Sequence, residues 1–419
     1  MIWIYNGLIV CWLLFNFGTC MFFLYQLAVS LMALRRQKTD LTKPAEKTHR
    51  FAALIAARNE EQVITNLVES IYEQEYPQGM IDVIVVADNC TDHTAEVARK
   101  AGAIVYERFN RIQIGKGYVL EFAFNKIFAE RDVYDAFCIF DADNLVEKTF
   151  FQEMNKALCA GMEVAQGYRD IKNPFDTWVS GCHAIYYWQQ NRFSNFARAS
   201  MGLSASINGT GFMISAEHLR KTGGYHVGTL TEDLEYTMQT VIGGGRVCWV
   251  PTARIFDEQP LTQHQSMVQR DRWTNGFLQC MTKYTLPMMA GFFQRPSLIK
   301  FDMIMFLLTL PMTLLGAIST GVYGLLTLMG VFPIGSSFLN NAILIVGILG
   351  GFAFAAAFSV LLEKPKLLHG LRRSILYFPY FYITWMVIYL KCFFIRSNVW
   401  KAIPHVRSLS INEVESSNK

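Results

Sequence analysis

The sequence predicts an α/β domain, with a mostly parallel sheet and helices on both faces, inserted between transmembrane and interfacial helices. Two observations define the membrane part: residues 1–34 and residues 303–362 contain no Asp, Glu, Lys, Arg or His. A third defines the domain between them, because short apolar runs alternate with amphipathic stretches from Phe51 onwards. Hydrophobic residues therefore reach 52% of the chain and charged residues only 17%, an apolar composition for a soluble protein of this length.

The two charge-free runs have the lengths of membrane spans. About 20 apolar residues cross a bilayer, so the first run suffices for one helix and the second for two, with a turn near Val331–Asn341. The first run lacks the basic start and the cleavage pattern of a signal peptide, and it ends in Leu34-Arg35-Arg36-Gln37-Lys38. Basic residues stay on the cytoplasmic side, so we expect an integral protein of the plasma membrane with its α/β domain in the cytoplasm.

The other hydrophobic segments complete the predicted organisation. The stretches Gln263–Tyr284 and Leu286–Lys300 are amphipathic and are expected to lie in the membrane interface. Ser374–Leu390 is apolar, contains Pro379 and has basic flanks, which favours an in-plane or re-entrant helix over a full span. The predicted units are a transmembrane helix (1–38), the α/β domain (39–262), interfacial helices (263–300), two transmembrane helices (301–362), an interfacial, re-entrant or transmembrane helix (363–397) and a cytosolic tail (398–419).

Charge and cysteine usage exclude some functions. The formal net charge of +4 is modest, and the basic residues gather beside the hydrophobic runs, where anionic lipid headgroups attract them. We therefore expect membrane lipid as a partner and no nucleic acid, and no obligate protein partner is evident. The nine cysteines show no metal-ligand spacing and no CxxC pair.

The α/β pattern predicts where a ligand binds. Phe51–Ala57 and Ile81–Ala87 have the composition of buried parallel strands, and Glu61–Glu73 between them has helical spacing. Ligands of such sheets bind at the carboxyl ends of the strands, where Asp88 and Asp141 stand. The other predicted elements are a helix at Thr94–Ala101, a strand at Ala103–Tyr106, a helix at Val119–Phe128 and a strand at Ala136–Phe140.

Three polar clusters suggest chemistry, and each has a plainer alternative. Asp141 and Asp143 follow an apolar strand and can share one Mg²⁺ or Mn²⁺, although Asp-x-Asp is also common in surface turns. Asp233 opens a predicted helix as a candidate general base, although Thr231-Glu232-Asp233 can equally cap that helix. Gln269-Arg270-Asp271-Arg272-Trp273 suits a diphosphate and a sugar ring, or an interfacial helix with snorkelling Arg and a membrane-level Trp.

In their order and spacing these clusters resemble glycosyltransferase family 2, in the processive membrane branch with cellulose, chitin and hyaluronan synthases. That branch has a spaced Asp, a DxD motif, a TED-type Asp and a QxxRW motif. This sequence has Asp88, Asp141 with Asp143, Asp233, and then Gln269, Arg272 and Trp273, with 35 residues between Asp233 and Gln269. The resemblance covers roughly Phe51–Tyr284 and implies a GT-A-like domain.

The resemblance implies a role for each motif. The donor's nucleotide would be bound by Ala57, Arg58, Asn59, Glu60, Asp88 and Lys116, and its diphosphate and the metal by Asp141 and Asp143. The acceptor site would be shaped by Asn208, Gly209, Thr210, Gly211, Phe212 and Glu232. The acceptor sugar and the diphosphate would also be bound by Gln269, Arg272 and Trp273. Asp233 would be the general base. One base without a covalent nucleophile implies inversion, so an α-linked donor gives a β-linked product.

The expected function is an inverting, processive polysaccharide synthase that adds hexose, with glucose expected, from a UDP-sugar to a growing β-glycan and couples synthesis to translocation. The tail Trp400–Arg407 resembles the branch's carboxyl-terminal segment, but Ala402 and Ile403 replace its usual basic residue and Thr. The chain after Arg396 is also too short for a cyclic-dinucleotide-sensing domain. One alternative is a non-processive enzyme that makes a glycolipid, as ceramide glucosyltransferases do. A transporter or scaffold with an inactive domain is a third, but it should have lost the carboxylates.

Overall fold

The structure, a computed structural model, describes residues 2–35, 45–328, 338–397, 409, 411, 413 and 414. Of residues 2–14, 323, 325–328 and 338–348 it describes the backbone only. The predicted turn at Val331–Asn341 therefore lies mostly outside the described residues, and Trp400–Arg407 of the tail lies wholly outside them.

One eight-stranded sheet forms the centre of the domain, in the order β3-β2-β1-β4-β7-β6-β8-β5. The strands are β1 (Phe51–Ala57), β2 (Ile81–Asp88), β3 (Ile104–Arg108), β4 (Ala136–Asp141), β5 (Leu145–Val146), β6 (Val164–Ile171), β7 (Phe212–Ser215) and β8 (Cys248–Asp257). Strands β3, β2, β1 and β4 pair in parallel, as do β6 and β8. Strand β7 runs antiparallel to β4 and β6, and β5 antiparallel to β8. The predicted mostly parallel sheet is confirmed, with an antiparallel insertion that the sequence pattern did not indicate.

Helices cover both faces of the sheet, and further helices, several of them strongly apolar, flank it. They are α1 (Ile2–Leu31), α2 (Ile64–Tyr72), α3 (Thr94–Lys100), α4 (Lys116–Glu130), α5 (Phe150–Cys159), α6 (Trp178–Gln189), α7 (Ala197–Ser200), α8 (Ala216–Thr222), α9 (Glu232–Ile242), α10 (Gln263–Gln294), α11 (Leu298–Leu307), α12 (Thr309–Leu328), α13 (Phe338–Glu363) and α14 (Arg372–Phe394).

The core divides into two layers, one on each face of the sheet. Alternate side chains of a strand point to opposite faces, so Ala53 and Ile55 of β1 pack with α2, α3 and α5. Ala52 and Leu54 of the same strand pack on the other side with α4 and α6. Almost all of β1 is therefore buried, as the continuous apolar run predicts for a strand covered on both faces.

The apolar helices have the lengths that membrane spans need. Among the described residues, Phe15–Leu34 and Arg372–Phe394 are long and apolar enough to cross a bilayer. Leu298–Leu307 and Thr309–Val322 would form a third span together, although they are bent by 49° relative to each other. Helix α14 is continuous over 23 residues and contains Pro379, so it is longer than the predicted 17-residue stretch. Its placement in the interface or across the bilayer stays a prediction.

The prediction that residues 263–300 divide into two amphipathic segments at residue 285 is wrong. Helix α10 runs unbroken for 32 residues through Pro287, and the next helix begins only at Leu298. A proline inside a helix removes one hydrogen bond and costs about 3 kcal/mol. Packing of Tyr284 and Met288 into a buried cluster with α9 and α11 offsets that cost.

Buried polar contacts fasten the apolar helices to the domain. At the end of α13, Lys364 Nζ lies 2.5 Å from Asp170 Oδ2 on β6, and Tyr168 donates its hydroxyl hydrogen to Glu363 Oε2 at 2.8 Å. On α11, the fully buried Asp302 accepts hydrogen bonds from Arg198 Nε at 2.8 Å and from the hydroxyl of Tyr25 in α1 at 2.9 Å.

The described residues of the tail contact the domain. Ile411 and Val414 are buried against Leu145 of β5 and Phe256 of β8. These strand residues are next in sequence to Asn144 and Asp257, so the tail packs close to these two polar side chains.

Candidate active site

The carboxyl ends of three neighbouring parallel strands form the acidic edge of the sheet. Ala57, Asp88 and Asp141 are the last residues of β1, β2 and β4, and the register pairs Ala57 with Ala87 and Ala56 with Asp141. A cavity of about 1160 Å³ opens at this edge. The sequence pattern therefore located the edge at which the cavity lies.

Fourteen of the predicted site residues line this cavity, and four do not. The lining residues are Ala57, Arg58, Glu60, Asp88, Lys116, Asp141, Asp143, Asn208, Gly209, Glu232, Asp233, Gln269, Arg272 and Trp273. The other four, Asn59, Thr210, Gly211 and Phe212, stand behind the cavity wall.

Asn59 shapes the turn after β1. Its backbone is left-handed, with φ of 59°, and its side-chain oxygen accepts a hydrogen bond from Thr91 N at 2.8 Å. Asn adopts this conformation more readily than most residues. Its observed role is therefore to hold the two loops after β1 and β2 together, between the cavity-lining Arg58 and Glu60.

Residues 210–212 support the acidic edge from behind. The hydroxyl of Thr210 accepts a hydrogen bond from Asp141 N at 3.0 Å and donates to Asn144 Oδ1. Gly211 has a φ of +64° and packs so close to Ile255 that a Cβ would lie 2.8 Å from its Cγ1. Phe212 belongs to β7 and is buried in the core. Of the segment 208–212 that was predicted to shape the acceptor site, only Asn208 and Gly209 line the cavity.

Behind the cavity-lining Asp88 lies a buried ion pair that the sequence did not indicate. Asp88 Oδ1 accepts a hydrogen bond from Arg108 Nη1 at 2.6 Å, and both side chains are almost wholly buried. Arg108 also donates to the carbonyl of Gln113 at 2.9 Å. The ion pair holds Asp88 in one orientation and fixes the segment that leads to Gly115 and Lys116.

Lys116 connects two loops of the site. It begins α4 after Gly115, whose φ is +135°. Its ammonium forms an ion pair with Asp141 Oδ1 and donates to the carbonyl of Gly209 at 2.7 Å. A single cation therefore bridges the DxD loop and the loop after residue 208.

Asp143 leads into a second buried network. Its Oδ2 accepts a hydrogen bond from Glu258 N at 3.1 Å. The neighbouring Asp257 forms an ion pair with Arg169 of β6, whose Nη1 donates to the carbonyl of Asn208 at 2.6 Å. Burial raises the pKa of Asp257, Arg169 opposes this, and the charges of Asp143 and Asp141 raise it further. Arg169 and Asp257 line the cavity but were missed; the only sequence signal was a charged pair, Arg169-Asp170, inside an otherwise buried strand.

Asp233 also lines the cavity and lies close to Gly209. A Cβ placed on Gly209 would be 3.6 Å from Asp233 Oδ2. The other carboxylate oxygen accepts a hydrogen bond from Leu234 N at 2.8 Å. The N-cap residue of α9 is Thr231, whose side chain makes no capping hydrogen bond. The alternative that this triplet is a side-chain cap is therefore not seen, except for the single bond from Asp233 to Leu234.

The two adjacent carboxylates hold protons more tightly than free ones. Burial raises the pKa of Glu232, and the charge of Asp233 raises it further, while Lys116 opposes both. Burial also raises the pKa of Asp233, against the hydrogen bond from Leu234 N and the charges of Lys116 and Arg169. Perturbed carboxylates in a cleft are frequent in catalytic sites.

Helix α10 brings the third motif to the same cavity. The ring of Trp273 lies 6.2 Å from that of Tyr186 on α6, nearly parallel to it, and 6.2 Å from that of Trp385 on α14. All three line the cavity. The buried Oε1 of Gln269 has no hydrogen-bond partner. This wall therefore offers flat apolar faces and a free acceptor atom.

The cavity extends from the sheet to the apolar helices. Phe306 of α11, Thr309 and Leu310 of α12 and Tyr389 of α14 line it together with the carboxylates. The end of the cavity at the sheet is thus lined by both acidic and basic side chains. The other end is lined by helices with the composition of membrane spans.

The acidic edge fits a divalent cation only together with another ligand. Asp141 and Asp143 are the hard oxygen donors that Mg²⁺ and Mn²⁺ prefer. No group of three His, Cys, Asp or Glu side chains that could hold an ion by itself occurs among the described residues. Burial is the main cause of the raised pKa of Asp257, and the nearby charges of Asp143 and Asp141 raise this pKa further. An added cation whose remaining ligands come from a diphosphate suits the arrangement.

The mostly parallel sheet, with helices on both faces and carboxylates at the ends of neighbouring strands, is the architecture of a GT-A-like domain. The model of the family described as glycosyltransferase-like family 2 matches residues 49–276, and the chain belongs to this family.

The chain is similar to several named relatives. It is 26% identical over 370 residues to the probable glycosyltransferase YdaM of Bacillus subtilis, covering 83% of each chain. It is 27% identical over 271 residues to the beta-monoglucosyldiacylglycerol synthase of a Nostoc species, covering 61% of this chain and 54% of the relative. It is 24% identical over 193 residues to the 4,4'-diaponeurosporenoate glycosyltransferase of Staphylococcus haemolyticus, covering 44% and 49%. The match thus spans only about half the length of the latter two relatives.

The fold is also similar to that of a solved mannosyltransferase, PcManGT of Pyrobaculum calidifontis, in complex with GDP-Man and Mn²⁺. The TM-score is 0.58 over 91% of this chain and 97% of that one, at 16% sequence identity. The similarity confirms the GT-A-like fold.

Proposed function

We propose that this protein is an inverting, membrane-bound glycosyltransferase that moves a hexose from a nucleoside diphosphate sugar to a lipid acceptor. The observation that carries the proposal is that the carboxylates of the sheet edge and side chains of the apolar helices line the same cavity. A water-soluble donor can enter at the sheet, while an acceptor that resides in a membrane can reach the same cavity from the helices.

The donor end has groups for each part of a nucleoside diphosphate sugar. Arg58, Glu60 and the fixed Asp88 suit the nucleoside. Lys116 suits a phosphate, because its positive charge is held between Asp141 and Gly209, next to the proposed metal ligands. Asp141 and Asp143 would hold Mg²⁺ or Mn²⁺, which supplies neutralising charge to the departing diphosphate. Uridine as the base and glucose as the sugar remain our predictions.

Asp233 is proposed to act as the general base. Its carboxylate takes the proton of the acceptor hydroxyl while the acceptor oxygen forms a bond to the anomeric carbon. The bond from that carbon to the diphosphate breaks, and the nucleoside diphosphate leaves with the electron pair. Arg272, on the adjacent wall, can stabilise the leaving charge with its fixed donors.

The lipid acceptor replaces the polysaccharide as our main proposal. Two of the relatives are a beta-monoglucosyldiacylglycerol synthase and a 4,4'-diaponeurosporenoate glycosyltransferase, and neither is a polysaccharide synthase by name. The order of Asp141, Asp143, Asp233 and Gln269-x-x-Arg272-Trp273 keeps a processive synthase as the second candidate. In that reading Trp273 and Trp385 would bind the end of a growing glycan.

Product analysis separates the two candidates. Purified protein is incubated with Mn²⁺, mixed-lipid vesicles containing diacylglycerol, and radiolabelled UDP- or GDP-hexoses one at a time, with Asp233→Asn as the inactive control. We expect one or a few discrete lipid-soluble products, whose label a β-glycosidase releases. A ladder of long, water-soluble chains would reject the lipid acceptor and favour the polysaccharide synthase.

A further inference from the structure

Glu235 is a fully buried carboxylate to which the chemistry above assigns no role. Two residues after Asp233, on the first turn of α9, it accepts hydrogen bonds from four donors. These are the backbone amides of Gly228 and Thr229, each at 2.7 Å, the ammonium of Lys283 at 2.6 Å and the hydroxyl of Tyr284 at 2.7 Å. Burial raises the pKa of Glu235, but its four donors lower it by more, so the group stays ionised.

These contacts join three segments of the chain. Gly228 and Thr229 belong to the segment that leads into α9, which we name the base loop and define as residues 228–231. Lys283 and Tyr284 belong to α10. A carboxylate accepts about four hydrogen bonds, so Glu235 has no capacity left for a substrate. Its position indicates a clamp between the base loop and α10.

Other residues of α10 contact the base loop on the same helix face. Gln279 Oε1 accepts a hydrogen bond from Leu230 N at 2.9 Å. Gly276 packs so close to Thr231 that a Cβ would lie 2.8 Å from Thr231 N. Positions 276, 279 and 283 are three or four residues apart and therefore share one face of the helix. The base loop thus lies along two turns of α10.

The same helix carries Gln269, Arg272 and Trp273 into the cavity. We propose that Glu235 is a positioning residue that sets the distance between the base Asp233 and this motif by clamping the base loop to α10. The inference rests on the proposed transferase function but not on the identity of the acceptor. A misplacement of about 1 Å can cost roughly 10²-fold in rate, so the clamp acts on turnover. None of the four hydrogen bonds of Glu235 is with a residue proposed to bind the donor, so donor binding should change little.

The test compares two buried carboxylates with similar partners. Glu235→Gln keeps the shape but places an amide where four donors converge. Asp302→Asn is the matched control, because Asp302 is equally buried and also binds one cation and one tyrosine hydroxyl. The partners of Asp302 do not line the cavity, whereas three of the four partners of Glu235 do. Turnover is counted as nucleoside diphosphate release, so that the clamp is tested whether lipid, glycan or water takes the sugar.

We expect Glu235→Gln to lower kcat by about 10–100-fold with the KM of the donor changed by less than about threefold. Asp302→Asn should lower the melting temperature but leave kcat within about threefold of the wild-type value. A Glu235→Gln kcat near that of the wild type, a donor KM that rises in proportion to the loss, or an equal loss in Asp302→Asn overturns the proposal.

If Glu235→Gln does not fold, the half-exposed Lys283 decides. Lys283→Met leaves three of the four hydrogen bonds to Glu235 in place and should lower kcat by less than Glu235→Gln would, at unchanged donor KM. Wild-type kcat in that variant overturns the proposal. The proposed lipid acceptor fails separately, through the identity of the product.

Discussion

Glu232 and Asp233 stand side by side in the cavity, and burial raises the pKa of both. A general base must be deprotonated before it can act, so the acid limb of the rate profile follows the raised pKa of this pair. As the pH falls through that pKa the base is protonated and turnover is lost. We therefore expect the rate to decline at a higher pH than the ordinary pKa of an aspartic acid, 3.8, would give.

Asp233→Asn should remove turnover while the protein stays folded. The change keeps the shape of the side chain but removes the base, and loss of acid–base catalysis costs roughly 10²–10⁴-fold in kcat. It also removes a buried charge next to Glu232, so the melting temperature at pH 7.5 should not fall. Steady-state kinetics, nucleoside diphosphate titration and thermal unfolding measure the three quantities. Near-normal kcat would leave Asp233 without a catalytic role.

Metal binding should depend on the nucleotide. Asp141 and Asp143 offer an ion two carboxylates, one of them already paired with Lys116, and the remaining ligands must come from the diphosphate. Mn²⁺ titration followed by electron paramagnetic resonance should show weak binding to the protein alone and tighter binding with UDP. Chelator should abolish turnover, and Mn²⁺ should restore it. Full turnover in excess chelator would reject the DxD assignment.

The sequence located those residues whose chemistry is unusual for their surroundings. Asp88 and Asp141 end apolar strands, and this placement alone indicated the ligand edge. Arg108, Arg169 and Asp257 were missed because each acts through a partner distant in sequence, and side-chain pairing between strands has no local signal. Thr210 and Gly211 were assigned to the acceptor, whereas they support Asp141 and pack on Ile255.

At the scale of elements, continuous apolar runs identified the parallel strands β1, β2 and β4 closely, whereas the parallel pair β6 and β8 was not predicted. β1 begins and ends as predicted, and β4 extends one residue further to include Asp141. The antiparallel strand β7 could not be predicted, because its pairing with β4 and β6 is long-range and its four residues carry no periodicity. Helix α10 differed from the predicted division at residue 285, because the packing of Tyr284 and Met288 with α9 and α11 keeps it continuous.

At the scale of the whole molecule, the domain is preceded and followed in sequence by helices that are long and apolar enough to cross a membrane. Residues 45–50 precede β1 after the first apolar helix, and Ile411 and Val414 return to the sheet after α14. A tail that packs on β5 and β8 must lie on the same side of the membrane as the domain. This contact supports our prediction that the carboxyl terminus is cytoplasmic.

Cysteine labelling tests this topology in intact cells. Ser416→Cys should react with a membrane-impermeant maleimide only after the cells are permeabilised. Glu46→Cys, in the exposed segment before β1, is the matched control and should behave identically, and the unsubstituted chain gives the background of the native cysteines. Labelling of position 416 alone in intact cells would contradict the predicted tail. Labelling of both positions in intact cells would show that the orientation in the membrane is opposite to the predicted one.

The cavity that joins Asp141 to Leu310 has a consequence for how the two substrates arrive. The donor diffuses through a volume, whereas a lipid acceptor diffuses within a surface. The acceptor's effective concentration is then its mole fraction among the surrounding lipids, and diluting the bilayer with inert lipid slows the reaction at constant total acceptor. The saturation constant for the acceptor is a surface density, and growth of the membrane area itself lowers the rate.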